Sequence, residues 1–145
     1  MTMTVTARLA LRQAVEPYAE ALVDLADATL TTNMMNNLLQ HKMRAAQINN
    51  LLGVSLETSS PAVVVNWVRY QMGRKETREA WGNTGLGKQI IADINRIKQP
   101  DMAGKVAEMA FRDSSEEHIR EAQIVMVRLY IGYLKRWFVA KGGQE

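Results

Sequence analysis

Helix-breaking residues are so sparse in this chain that almost all of it is free to be helical. Proline occurs at only three positions, Pro17, Pro61 and Pro100, and proline is the residue that most disrupts a helix interior. Between them, apolar residues recur at steps of three and four, which is the period of an amphipathic helix. No segment shows a convincing strand pattern. The sequence therefore predicts an all-α fold, a compact bundle of five to six helices.

Prolines and capping residues predict the ends of the first helices. Pro17 lies inside the first helical pattern, residues 7–28, where it either opens a helix near Glu16 or kinks one. A threonine at residue 31 or 32 can cap a second helix. That helix is expected to reach about residue 52, because Gly53 is a natural helix end.

The same signals divide the second half of the chain. Pro61, preceded by two serines, opens the third helix, and Pro100 ends the fourth. A short fifth helix is predicted over residues 102–111. Ser114 and Glu117 have the spacing of a capping box, in which each side chain satisfies a free backbone amide at a helix start. They predict the beginning of a long last helix.

Length and composition limit the class of protein. The chain has 145 residues and no cysteine, so we expect one domain over residues 1–145 with a frayed tail at 141–145. The lack of cysteine excludes disulfides, thiolate zinc sites and cysteine nucleophiles. No apolar run approaches the roughly 20 residues of a membrane span. The first residues show no basic region ahead of a sustained apolar core, so we expect no secretion signal. A cytoplasmic protein without a membrane partner is expected.

Catalytic signals are weak. His41 and His118 are isolated, without the spacing of a helical metal-binding pair. Residues 82–88, GNTGLGK, match the glycine and lysine spacing of a phosphate-binding loop, but Gln89 replaces the required hydroxyl residue and no strand precedes the loop. A glycine-rich turn explains this segment more simply. We therefore expect no enzyme, no cofactor and no metal.

The strongest functional signal is the segment NWVRYQMGRKETR, residues 66–78, which combines large aromatic side chains with cations. Bases can stack on aromatic faces while phosphates pair with cations, so the segment predicts contact with a nucleic acid. Trp67 falls on the apolar side of the helix, whereas Tyr70 does not. The alternative is a helix that packs its aromatics inward and extends its cations into water. The candidate contacts are Arg69, Tyr70, Arg74, Lys75 and Arg78.

The charge distribution adds a second group of candidates. Residues 31–100 hold nine basic and four acidic residues, although the whole chain has a net charge of only +3. Lys42 and Arg44 lie among glutamines and asparagines on the second helix. Amides and cations together bind a sugar–phosphate backbone without reading its sequence. The alternative is a polar face that packs against a partner protein.

Three stretches of the chain resemble the small helical subunit of type III CRISPR effector complexes. Residues 30–52, LTTNMMNNLLQHKMRAAQINNLL, resemble that family's threonine-started helix with amides and a basic residue. Residues 66–74, NWVRYQMGR, resemble its aromatic–basic helix. The last helix, which ends YIGYLKRWFVAK, resembles its closing helix. The chain departs from some relatives at residues 32–35, where TNMM stands in place of a Ser-Gln-Ile-Arg run.

This resemblance implies a non-catalytic scaffold subunit. Several copies would stack head to tail, and their basic faces would line the groove that holds guide and target RNA. The implied partners are RNA, the other subunits of the complex and further copies of the chain. On the residues alone, a helical protein–protein adaptor without a nucleic-acid role is the alternative. The phosphate contacts that the resemblance implies are Lys42, Arg44, Arg69, Arg74, Lys75 and Arg78.

Overall fold

The computed structural model describes residues 4–145, so the first three residues of the predicted domain lie outside it. The described residues contain no β-strand, which confirms the all-α prediction. The predicted count of five to six helices is wrong, because there are eight. These are α1 (Val5–Val15), α2 (Ala19–Thr29), α3 (Thr32–Gln40), α4 (Ala45–Glu57), α5 (Pro61–Gly73), α6 (Leu86–Ile97), α7 (Lys105–Phe111) and α8 (Glu116–Ala140).

The count differs because two predicted helices are each divided. A 3₁₀ turn at Glu16–Tyr18, which contains Pro17, separates α1 from α2. Proline has no backbone N–H to donate, so a continuous α-helix is interrupted there. Residues 41–44 separate α3 from α4, and Lys42 within them has a φ of 59°. That left-handed conformation ends a helix, although the apolar stripe continues beyond it.

The start of α3 was predicted and the end of α4 was not. The Thr31 hydroxyl accepts a hydrogen bond from the Met34 N–H at 3.1 Å, as expected of a capping threonine. Gly53 does not end α4, which continues to Glu57. The end of α4 is instead held by Arg128 of α8. Its guanidinium donates to the Ser55 carbonyl at 2.7 Å and to the Thr58 carbonyl at 2.8 Å.

The last third of the chain shows three further differences. The predicted fifth helix is α7 preceded by a π-helical turn at Pro100–Gly104. The residue that caps α8 is Ser115, one position later than predicted, and its hydroxyl accepts from the His118 N–H at 3.4 Å. The tail, expected to fray, is hydrogen bonded to the start of α4, because the Ala45 N–H donates to the Gln144 carbonyl at 2.8 Å.

Helix α8 runs through the middle of the fold and packs chiefly against α2 and α4. The buried apolar side chains form one cluster, whose largest fully buried members are Trp81, Tyr130 and Phe138. No described helix is both long enough and apolar enough to cross a membrane.

A single carboxylate is buried within this apolar cluster. Asp93 of α6 is 3 % exposed and accepts hydrogen bonds from Thr29 of α2, Gln89 of α6 and Tyr130 of α8. Burying a charge is costly unless it is hydrogen bonded. Three donors from three helices provide those bonds, so the network fixes how α2, α6 and α8 meet.

Candidate nucleic-acid interface

The α4–α5 hairpin brings candidate residues from two parts of the sequence to one end of the fold. The two helices are joined by a short connection, residues 58–60, and pack against each other. The first residue of one therefore lies near the last residue of the other. Arg44 precedes the first turn of α4 and Arg74 follows the last turn of α5. The two arginines thus lie at the same end of the hairpin.

A contact between loops adds further cations to this end. His41 Nδ1 at the end of α3 lies 3.7 Å from Glu79 Oε2, in the π-helical turn at Glu79–Asn83 that follows α5. Lys42 follows His41 in the chain, and Arg78 precedes Glu79. We call the seven candidate residues at this end of the hairpin the cationic end. Its members, all of them exposed, are Lys42, Arg44, Arg69, Tyr70, Arg74, Lys75 and Arg78.

Most charges of the cationic end have no protein partner. Arg74 Nε lies 3.2 Å from Glu76 Oε2, but both side chains are exposed, and exposed pairs contribute at most about 1 kcal/mol. Within residues 4–145, the other five cations of the set form no ion pair. Their charges are therefore available to an external polyanion. The carbonyls at the end of α5 also favour cations there.

Tyr70 provides an aromatic surface beside these cations. Its side chain is 59 % exposed, and the Arg74 guanidinium carbon lies 6.0 Å from the centre of its ring. That distance is at the limit of a cation–π contact. Both side chains are exposed, so the ring and the guanidinium face water together. A base can stack on the ring while its phosphate pairs with the arginine.

Trp67 lies on the other side of α5, as its apolar neighbours predicted. It is half-buried, and its indole packs at 90° to that of Trp81, with ring centres 5.5 Å apart. Trp81 comes from the π-helical turn and is almost fully buried. The tryptophan pair is therefore a wall of the core rather than part of the cationic end.

A groove that the sequence analysis did not identify opens between α4 and α5, with a volume of about 650 Å³. The amide run of α4 was noticed in the sequence, but nothing there linked it to the tryptophan of a later turn. Arg74 belongs both to this groove and to the cationic end. We call it the α4–α5 groove. Its main lining residues are Gln47, Asn50, Trp67, Gln71, Arg74 and Trp81.

The glycine-rich turn has a structural explanation. Gly85 has a φ of 86°, which side chains other than glycine rarely adopt. A Cβ atom on Gly82 would lie 2.7 Å from the Met72 carbonyl oxygen, so glycine is required where the turn packs on α5. These two glycines thus serve the turn and its packing.

Neither histidine joins a cluster that could bind a metal. His118 lies 2.6 Å from the Asp113 carboxylate and stacks on Phe111. The hydrogen bond to His118 and a second from the Ser115 N–H hold the pKa of Asp113 below its usual value. No group of three histidine or acidic side chains in the described part of the chain could hold a metal ion.

No protein-family model, curated protein or solved structure compared with the chain matches it. The resemblance to type III CRISPR small subunits therefore stays one of helix order and residue character.

Proposed function

We propose that this chain is a non-catalytic RNA-binding scaffold subunit of a ribonucleoprotein, of the kind found in type III CRISPR effector complexes. The cationic end supports the proposal most directly. Six basic side chains and one exposed tyrosine, drawn from two separate parts of the sequence, lie at one end of a helical hairpin. The resemblance noted above supplies the class of assembly.

The proposed contact is with the RNA backbone. Arginine guanidinium groups bind phosphate through two parallel hydrogen bonds, and lysine acts as a point charge. Arg44 and Arg74, which flank the hairpin end, would hold successive phosphates. Contacts of this kind carry no sequence information, which suits a subunit that must accept guide RNAs of any sequence.

The modest charge supports a scaffold role. A net charge of +3 and one small cationic surface give weak binding to a single copy. Linking several such surfaces along one RNA raises the overall affinity without any new contact. Head-to-tail copies, held in place by the other subunits, would supply that repetition.

The test is a pair of charge-reversal variants measured with the full-length chain. The first carries Arg69→Glu and Arg74→Glu on the cationic end. The control carries Lys105→Glu and Arg120→Glu, which are exposed on α7 and α8 and change the net charge equally. Binding to single-stranded RNA is measured by fluorescence anisotropy between about 50 and 200 mM salt, because phosphate contacts make affinity fall with salt.

We expect the first variant to bind RNA at least about tenfold more weakly and with a shallower salt dependence. The control should lose much less, and both should melt like the original protein. Equal losses of RNA affinity in the two variants would mean that only the net charge matters. That result would reject the cationic end as the contact.

The alternative function, a protein–protein adaptor, is favoured by a different feature. A groove of about 860 Å³ lies between α1 and α8. Its lining combines apolar side chains, among them Leu11, Val125 and Leu129, with charged ones that include Arg8, Arg12 and Glu121. An adaptor that binds chiefly through the apolar side chains of this surface would lose less affinity with salt than a contact with RNA phosphates does. Purification of a tagged copy distinguishes the two, since recovery of a stoichiometric protein without RNA supports the adaptor.

A further inference from the structure

The α4–α5 groove has an aromatic wall and a polar lining. Trp67 and Trp81 meet edge to face and close one side of it. Gln47, Asn50 and Gln71 add amide groups, each of which contains both a donor and an acceptor. A groove of about 650 Å³ is within the range of small-ligand sites, which is about 300–1,000 Å³.

Two polar groups in this groove are buried and yet have no protein partner. Gln71 is 6 % exposed and Trp81 is 1 % exposed. Neither the Gln71 amide nor the Trp81 indole N–H hydrogen bonds to another group within residues 4–145. No fully buried side-chain nitrogen or oxygen in that range lacks a partner. Each group is therefore at least slightly exposed, and both residues line the groove, where a ligand can satisfy them.

We propose that the α4–α5 groove binds an unpaired RNA base, a proposal that rests on the RNA-binding function above. The donor and acceptor of the Gln71 amide can pair with the edge of a base, and the Trp81 N–H can donate to a base oxygen or nitrogen. The tryptophan wall provides apolar contact for the base. Only an unpaired base presents a free Watson–Crick edge, as the bases of single-stranded RNA do.

Charge at the two ends of the groove sets the direction of the nucleotide. Arg74 lies at the end that the groove shares with the cationic end, and Glu57 lies at the opposite end. The phosphate of a bound nucleotide is therefore attracted to Arg74 and repelled from Glu57. With its phosphate there, the base points along the groove towards Gln71 and the tryptophans.

The test compares two RNAs with the same backbone. One is a short single strand of mixed sequence without self-complementarity, and the other has the same length but abasic residues. The full-length chain should bind the first at least about fivefold more tightly, because stacked bases add affinity that phosphates cannot. Gln71→Met, which keeps the side-chain size, should lose this preference. Gln13→Met, at an exposed glutamine of α1, should keep it.

A second measurement does not depend on any variant. In a nitrogen–proton NMR spectrum, the Trp81 indole N–H signal should shift when the mixed-sequence RNA is added and stay in place with the abasic RNA. The Trp137 indole N–H donates to the Val23 carbonyl at 3.1 Å and should not move with either, which makes it an internal control.

The possible outcomes separate the two proposals. Equal binding of both RNAs, with no shift of the Trp81 signal, would overturn the base site and leave backbone binding intact. Binding of neither RNA would overturn both proposals. A preference that survives Gln71→Met would show that the base lies outside this groove.

Discussion

The Tyr130 hydroxyl donates a hydrogen bond of 2.5 Å to the Asp93 carboxylate in the apolar centre of the bundle. Thr29 donates to the same carboxylate oxygen and Gln89 to the other. Every fully buried polar side-chain atom in the described residues has a partner, so the network is complete. A complete network of this kind fixes one arrangement of the surrounding helices.

Removing the carboxylate should therefore destabilise the fold strongly. Asp93→Ala leaves the buried hydroxyls of Thr29 and Tyr130 without their acceptor. We expect a loss of about 2–4 kcal/mol in the free energy of unfolding, because each unsatisfied buried group costs about 1–3 kcal/mol. Urea denaturation measures it, with Asp24→Ala, at an exposed position on α2, as control. A loss no larger than that of the control would contradict the network's role.

The same pair predicts how stability depends on alkaline pH. Burial, and then the negative charge of Asp93, raise the pKa of Tyr130 well above its usual value of 10.0. Above about pH 10 the unfolded chain releases this proton and the folded chain keeps it, so unfolding becomes more favourable as the pH rises. The stability that Tyr130 provides is therefore complete below pH 10 and decreases above it.

Tyr130→Phe isolates this effect. At pH 8 the variant should be less stable by about 1–2 kcal/mol, because Asp93 loses a donor. Above pH 10 the difference from the original protein should shrink, by up to about 1.4 kcal/mol per pH unit. Denaturation of both proteins at pH 8, 10 and 11 measures the difference. A gap that stays constant would mean that Tyr130 ionises equally in the folded and unfolded states.

Sequence reasoning succeeded where one helix carries its own signal. The isoleucines of α6 recur at helical spacing, and Ile90, Ile91, Ile94 and Ile97 are all buried. It failed where the deciding partner is distant in sequence. The end of α4 depends on Arg128, which is 73 residues from Ser55, and a local rule that ends helices at glycine cannot include that bond.

The candidate site also has a part with a local sequence signal and a part without one. The exposure of the cations in residues 69–78 was predicted from their segment, but their placement on one helix was wrong, because α5 ends at Gly73 and Arg74, Lys75 and Arg78 follow it. The α4–α5 groove was not predicted, because its lining combines residues of α4 with Gln71 of α5 and Trp81 of a later turn. The buried Asp93 was also missed, since a lone aspartate in an apolar helix reveals nothing about donors on other helices.

The contribution to stability of the two hydrogen bonds from Arg128 to the end of α4 can be measured with a variant. Arg128→Met keeps the aliphatic part of the side chain and leaves the carbonyls of Ser55 and Thr58 without their donor. We expect a loss of about 2 kcal/mol in the free energy of unfolding, because hydrogen bonds to charged groups contribute about 1.5–3 kcal/mol. Arg120→Met, exposed on the same helix, should change stability by less than about 0.5 kcal/mol. Equal losses of stability in the two variants would mean that the hydrogen bonds of Arg128 to the end of α4 do not stabilise the fold.

Two glycine substitutions should change stability in opposite directions. Gly132 lies inside α8, and apart from its chain neighbours and the adjacent helix backbone nothing lies within 4 Å of the place where a Cβ would be. Gly132→Ala should stabilise the protein by about 0.5–1 kcal/mol, because alanine restricts the unfolded chain and favours helix.

At Gly82 the same added methyl group has no room. It would lie 2.7 Å from the Met72 carbonyl oxygen, which belongs to the helical backbone of α5 and cannot move without distorting that helix. Gly82→Ala should therefore destabilise the protein by about 1–3 kcal/mol, the usual cost of overpacking. Thermal and urea denaturation of both variants measures the two signs. A stabilising Gly82→Ala would mean that the turn does not pack on α5 as closely as described. Trp81 is the residue next to Gly82, so its place in the wall of the α4–α5 groove would then be wrong as well.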